Sequence, residues 1–324
     1  GDVIMKVNIG VEIGAKFIQA GIVDKFGRLL ARSRVHSNYE RGLKEIVSEA
    51  VKLIFDLMED KEYDLRSIRS IGVACPGVPD EENSKIMKTY ILGLYNAPIR
   101  DEFKKHFPNT PIYVENDAHC AAIAESVAGA AEDLDYSITI NIGTGISGGI
   151  IIDNKLYSGL SNAGAVLGHM VIDKNGKQCS CGRVGCFETV CSAKALIEET
   201  KEEASKNPDS KILEVCGNDL SKITETTAFE AMELGDEGAK KIFNRYTDNM
   251  AIALTNLANI LMPEVIILCG GITCLGEDLL KPVREKMYEC IYSREIALPA
   301  LKLSEMGSAS VLVGAGMLVD HKKK

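Results

Sequence analysis

No stretch of the 324 residues stays apolar long enough to cross a bilayer, and no secretory leader is legible, since Lys6, Asn8 and Glu12 break the first apolar run. Membrane placement is not expected. Basic runs are missing as well, apart from Lys322, Lys323 and Lys324, which read as a solvated tail. With a formal charge of −9, the chain is a poor partner for a phosphate backbone, so no nucleic acid is expected. No Walker loop is present, because no glycine-rich segment runs into Gly-Lys-Ser/Thr, and no dinucleotide fingerprint opens a helix. Low-complexity linkers are absent too. What remains is a chain with 46% hydrophobic residues, enough for a large core and two domains, expected to be cytoplasmic with its ten cysteines reduced.

Four of its metal-binding side chains are concentrated. His169, Cys179, Cys181 and Cys186 fall within eighteen residues, and Gly176, Gly182 and Gly185 let the backbone turn them toward one point. Three thiolates and one imidazole complete a tetrahedron and leave no position for water, so a zinc ion here would be structural. Buried thiols beside a core histidine are the alternative, and the clustering favours metal.

Along the chain, Val3 to Val11, Phe17 to Val23 and a run from Leu29 read as a meander of strands. Ile46, Val47, Ala50, Val51, Ile54, Leu57 and Met58 recur at helical spacing, and Ser70 to Ala74 returns to strand composition before Cys75, Pro76 and Gly77. A strand at Ile112 to Val114 leads through Glu115, Asn116 and Asp117 into a helix. Ser137 to Ile152 then repeats the layout as strand, glycine loop and strand, which predicts two related domains. Helices are expected near 192–205, 226–234, 237–261 and 277–292, a buried strand at Val265 to Leu268, and a final helix from Ala309.

Gly143, Thr144, Gly145, Ser147, Gly148 and Gly149 between two strands can turn backbone N–H groups and hydroxyls toward an anion, although a tight structural turn explains the same glycines. Gly270 and Gly271 after a buried strand are a weaker sign of the same kind. Asp117, between a strand and a helix, suits either N-capping or catalysis at a sheet edge.

From end to end the sequence resembles the ROK family of sugar kinases and sugar-responsive repressors, within the actin-like, ribonuclease-H-like ATPase superfamily. TINIGTGISGGI, the VENDA segment around Asp117, the zinc loop after Gly168 and His169, ILCGG at 267–271 and MGSASVLVGA near the C-terminus carry the resemblance. It implies an α/β, two-domain actin-like fold with a cleft between domains. The smaller domain would be residues 1–117 joined by a C-terminal helix at 305–324, and the larger 118–304. It also implies ATP and Mg²⁺ as cofactors beside structural Zn²⁺, a hexose or N-acetylhexosamine phosphorylated at its 6-hydroxyl, and a homodimer or homotetramer. By position, Asp117 would be the general base, and Asn116, His169, Glu188, Pro76 and Gly77 would contact the sugar. Glu12, Gly14, Lys16, Gly143, Thr144, Gly145, Gly270 and Gly271 would hold the nucleotide.

Four departures mark this chain. The family's first phosphate loop, Asp-x-Gly-Gly-Thr, is Glu12, Ile13, Gly14, Ala15 and Lys16 here, with a Cβ at Ala15 where the family's glycine suggests positive φ. Lys16 either neutralises a phosphate or lies in solvent. The family's Glu-x-Gly-His is Val166, Leu167, Gly168 and His169, so a sugar-binding carboxylate is missing. His119 replaces an asparagine, and Leu94 stands where a tryptophan usually follows glycine. An ATP-dependent sugar kinase with a modified pocket is therefore expected, against a catalytically weak regulator that binds sugar or nucleotide. Without an N-terminal helical domain ahead of the first strand, a DNA-binding repressor is not expected.

Overall fold

The computed structural model describes residues 5–89 and 92–321, so the strand start at Val3 and the tail Lys322 to Lys324 lie outside the described residues. The chain opens with β1 (Val7–Ile13), β2 (Phe17–Val23) and β3 (Leu29–His36), an antiparallel meander. Helix α1 (Leu43–Asp60) buries the face whose spacing announced it, from Ile46 and Val47 to Leu57 and Met58. β4 (Ile68–Cys75) then pairs parallel to β1. Next come β5 (Val78–Pro79), β6 (Ile86–Thr89) and β7 (Leu94–Ala97), a small antiparallel sheet. Strands of two to four residues are too short to display alternation, so the sequence does not announce them. α2 (Ile99–Lys104), β8 (Ile112–Asn116) and α3 (Asp117–Ala128) complete this part, with β8 parallel to β4.

The layout then recurs. β9 (Ser137–Ile142), β10 (Ile146–Ile152) and β11 (Lys155–Tyr157) are followed by α4 (Glu188–Cys191), α5 (Ala193–Lys206), α6 (Lys211–Val215), α7 (Thr227–Glu233) and α8 (Glu237–Leu261). β12 (Val265–Gly270), α9 (Glu277–Cys290) and β13 (Ala300–Leu303) lead to α10 (Ser310–Gly316) and α11 (Leu318–His321). The first large sheet is ordered β3-β2-β1-β4-β8 and the second β11-β10-β9-β12-β13. Each places its third, second, first, fourth and fifth strands in that order, and β12 and β13 are parallel as β4 and β8 are. The expected duplication is thus a duplication of topology.

Two compact units result: residues 1–139, 149–165 and 304–324 in one, and 140–148 and 166–303 in the other. The division differs from a boundary after residue 117, because α3 belongs with the first unit. Its Cys120, Ile123 and Ala124 share an apolar cluster with Val23, Ala74, Val313 and Leu318. α10 lies so close to β1 and α3 that a Cβ on Gly10 would fall 1.9 Å from the Leu312 carbonyl oxygen, and one on Gly314 1.7 Å from that of Cys120. In the second unit, Ala204, Ile212, Cys216, Ile223, Ala231 and Ala239 form a helical core. Among the described residues no helix is long and apolar enough to cross a membrane.

Candidate active site and metal loop

Asp117 is the first residue of α3, directly after β8. The N-cap is its neighbour: the Asn116 Oδ1 accepts the N–H groups of Ala118 at 2.9 Å and His119 at 3.3 Å. The capping alternative for Asp117 is thereby corrected, since Asn116 has the extended φ/ψ a cap requires and Asp117 does not precede the helix. Asp117 Oδ1 accepts the Ala118 N–H at 2.9 Å, and burial holds its carboxyl above the usual range. Asn116 Nδ2 donates to the Gly77 carbonyl at 2.9 Å, so the turn after β4 is tied to the end of β8. Gly77 itself has φ +124 and follows the half-buried Pro76.

Glu12 lies near the end of β1. Burial pushes it up to about 7, the nearby Asp117 charge adds to the rise, and the Gln19 amide at 3.0 Å opposes it. Glu12 and Asp117 would be the carboxylates available here to a hard divalent cation. At the hairpin beyond, the Gly14 N–H donates to the Phe17 carbonyl at 2.9 Å, leaving Ala15 and Lys16 exposed at the tip. Ala15 is not among the residues with positive φ, so its Cβ carries no strain and that expectation is corrected. Lys16 Nζ stands 5.5 Å from the centre of the Phe17 ring, which Arg34 also approaches at 4.5 Å.

Between β9 and β10, the Gly143 N–H donates to the Gly145 carbonyl at 2.9 Å and Thr144 is exposed at the tip. Glu188, first in α4, grips this loop, as its Oε2 accepts the Ile146 N–H at 2.8 Å. A Cβ at Gly145 would come within 2.3 Å of the same oxygen. The sequence placed Glu188 beside the metal loop but not against the glycine loop 42 residues earlier in the chain. Gly270 needs its freedom too: its φ is +119 and a Cβ would meet the Ile142 carbonyl oxygen at 1.9 Å. Gly271 sits beneath Glu225, whose Oε1 is 1.8 Å from where its Cβ would be.

His169, Cys179, Cys181 and Cys186 converge, their ligand atoms all within 4.8 Å of one another. Cys179 Sγ lies 3.5 Å from His169 Nδ1, and Cys181 Sγ 3.6 Å from Cys186 Sγ. Around a tetrahedral zinc, bonds of about 2.3 Å to sulfur and 2.0–2.1 Å to nitrogen set such edges at roughly 3.8 and 3.5 Å, so the donors fit. Backbone bonds from Cys179 N–H to the Arg183 carbonyl at 2.8 Å and from Gly185 N–H to the Lys177 carbonyl at 2.9 Å fold the loop. The Arg183 N–H lowers the Cys181 thiol, whereas burial pushes Cys186 up to about 12. Val166, just before the His169 turn, is 56% exposed.

Sequence reasoning missed the role of Glu115 in this neighbourhood. Glu115 is fully buried and meets His119, the residue noted only as a departure. Leu94, noted as a departure from the family, packs on the core of the first unit.

Two five-stranded mixed sheets of the same strand order, each followed by its own helices, define an actin-like ATPase fold. The chain belongs to the ROK family, whose sequence model matches residues 8–322. It is 29% identical to a glucokinase of Thermotoga maritima over 97% of both chains. It is also 28% identical to a xylose repressor of Bacillus subtilis, over 97% of this chain and 77% of that one. A ROK family glucokinase from Streptomyces griseus, solved in complex with glucose and AMPPNP, superposes with a TM-score of 0.79. That match has 30% identity and covers 96% of this chain and 98% of the other.

Proposed function

We propose that this protein is an ATP-dependent sugar kinase that transfers the γ-phosphoryl group to a hexose or N-acetylhexosamine hydroxyl, the 6-hydroxyl by similarity to the glucokinases. The observation that supports this best is Asp117: a carboxylate at a strand-to-helix turn, relieved of capping by Asn116 and held above its usual pKa by burial. In this reading its carboxylate takes the hydroxyl proton as the sugar oxygen forms its bond to the γ-phosphorus and the bond to the ADP oxygen breaks. Asn116, His169, Glu188 and the Pro76–Gly77 turn hold the sugar. Gly143, Thr144, Gly145, Gly270 and Gly271 carry the nucleotide, with Gly14 and Lys16 at the first hairpin. Mg²⁺ would neutralise phosphate charge, with Glu12 and Asp117 as its nearest carboxylates. Zinc would keep the His169 loop rigid.

The second reading, a sugar- or nucleotide-binding regulator, is favoured by Val166, where an exposed isopropyl group occupies the position expected of a sugar-binding carboxylate, and by the likeness to xylose repressors. A coupled ADP-release assay across glucose, mannose, xylose and N-acetylhexosamines separates them. Sugar-dependent ADP release is expected. Measurable ATP binding without turnover of any sugar would leave the regulator.

A further inference from the structure

Glu115 occupies the penultimate position of β8 and is wholly enclosed. Its Oε1 lies 2.9 Å from His119 Nδ1 and accepts the Asn116 backbone N–H at 2.8 Å. Its Oε2 accepts Asn83 Nδ2 at 3.2 Å. Asn83 is itself fixed, because its carbonyl takes the Val114 N–H at 2.9 Å and an Arg100 N–H at 2.8 Å, and its amide also donates to the Val114 carbonyl at 2.9 Å. With Oε1 already accepting the Asn116 N–H, the ring meets that oxygen as a second donor when Nδ1 carries the proton. The ring is buried at 5% exposure, so leaving Glu115 for water would take it out of the interior. Asn116 and Asp117 therefore sit inside a closed frame: Glu115 holds the Asn116 N–H from behind, Asn116 caps the helix, and His119 locks Glu115 one turn later.

We propose that the Glu115–His119 pair is a positioning device, which holds the Asn116–Asp117 turn so that the Asp117 carboxylate meets the sugar hydroxyl in a single orientation. This rests on the kinase reading for its chemical consequence, although the hold on the turn does not. His119 touches no reacting atom and acts through Glu115 and Asn116. The competing role for the ring is simple filling of the core, and two substitutions separate them. His119→Asn keeps a donor close to the Nδ1 position and loses volume; His119→Leu keeps volume and loses the donor.

If the donor matters, His119→Leu lowers kcat by about tenfold to a hundredfold, the range expected when a catalytic group is misplaced by a fraction of an ångström to an ångström, while the sugar KM stays within about threefold. His119→Asn stays within about threefold in both. Should His119→Leu not fold, His119→Met serves as the second donor-free variant. The reverse order, with Asn damaging and Leu harmless, overturns the proposal, and so does an unchanged kcat in a folded donor-free variant. Hydrogen exchange of the 116–119 amides supplies an arm that needs no turnover: donor-free variants should exchange there about tenfold faster than wild type, with His119→Asn close to wild type. Equal exchange in all the proteins overturns the hold on the turn. A wild type that phosphorylates no sugar would defeat the kinase reading instead, and the exchange arm would still decide the pair.

Discussion

Burial raises the pKa of both Asp117 and Glu12, with different consequences. As the proposed base, Asp117 gains proton affinity from burial, and replacing it with asparagine preserves shape but removes the site for the proton. Asp117→Asn should lower kcat by on the order of a hundredfold to ten-thousandfold without lowering the melting temperature near neutral pH, since the amide removes a charge that burial disfavours; near-full activity would demote the residue. Glu12 affects stability. Its folded pKa of about 7 exceeds the ordinary 4.5, so the folded state binds an extra proton between those values. Its contribution is fully present below pH 4.5 and is lost as pH rises through 7. Glu12→Gln should therefore match wild type near pH 4 and be more stable at pH 8, by up to about 3 kcal/mol, in the absence of Mg²⁺ and nucleotide. Thermal melts at the two pH values check this, and an equal change at both would refute it. Asp117 was legible because it follows β8 immediately in a known segment. The shift at Glu12 was not, since it arises first from burial and then from Asp117, over a hundred residues away, and both depend on the folded chain.

The loop that carries His169, Cys179, Cys181 and Cys186 shows what an element can settle locally. All four donors lie on one short stretch, so their convergence needs only that stretch to fold. Purified protein should contain about one zinc per chain, and Cys181→Ser should lose both the metal and thermal stability, because metal affinity here is folding free energy. Elemental analysis that finds no zinc in folded wild type would count against the site. The glycine loop at 143–145 was legible as a hairpin but not as a loop clamped by Glu188. That clamp joins two elements far apart in the chain. The sheet β5-β6-β7 escaped notice for the complementary reason, as its strands are too short to carry a period.

For the whole molecule, a kinase and a regulator share sugar and nucleotide binding and differ in consumption. Either ligand at a hundred times its Kd should stabilise the native state by about 2.7 kcal/mol and raise the melting temperature. In the kinase reading, glucose with ATP and Mg²⁺ loses that effect as substrate is spent, whereas glucose with a non-hydrolysable analogue keeps it; identical, undiminished shifts would support the regulator. The sequence by itself determined the repeat of strand, glycine loop and strand, the helical face of α1 and the metal loop, because each depends on neighbours within a few turns of chain. Only tertiary structure decided that α3 and α10 pack together in the first unit, that Asn116 rather than Asp117 caps α3, and that His119 turns inward to Glu115. Those outcomes follow from burial and from which donors meet which acceptors once distant strands are paired, and neither quantity exists until the chain has closed on itself.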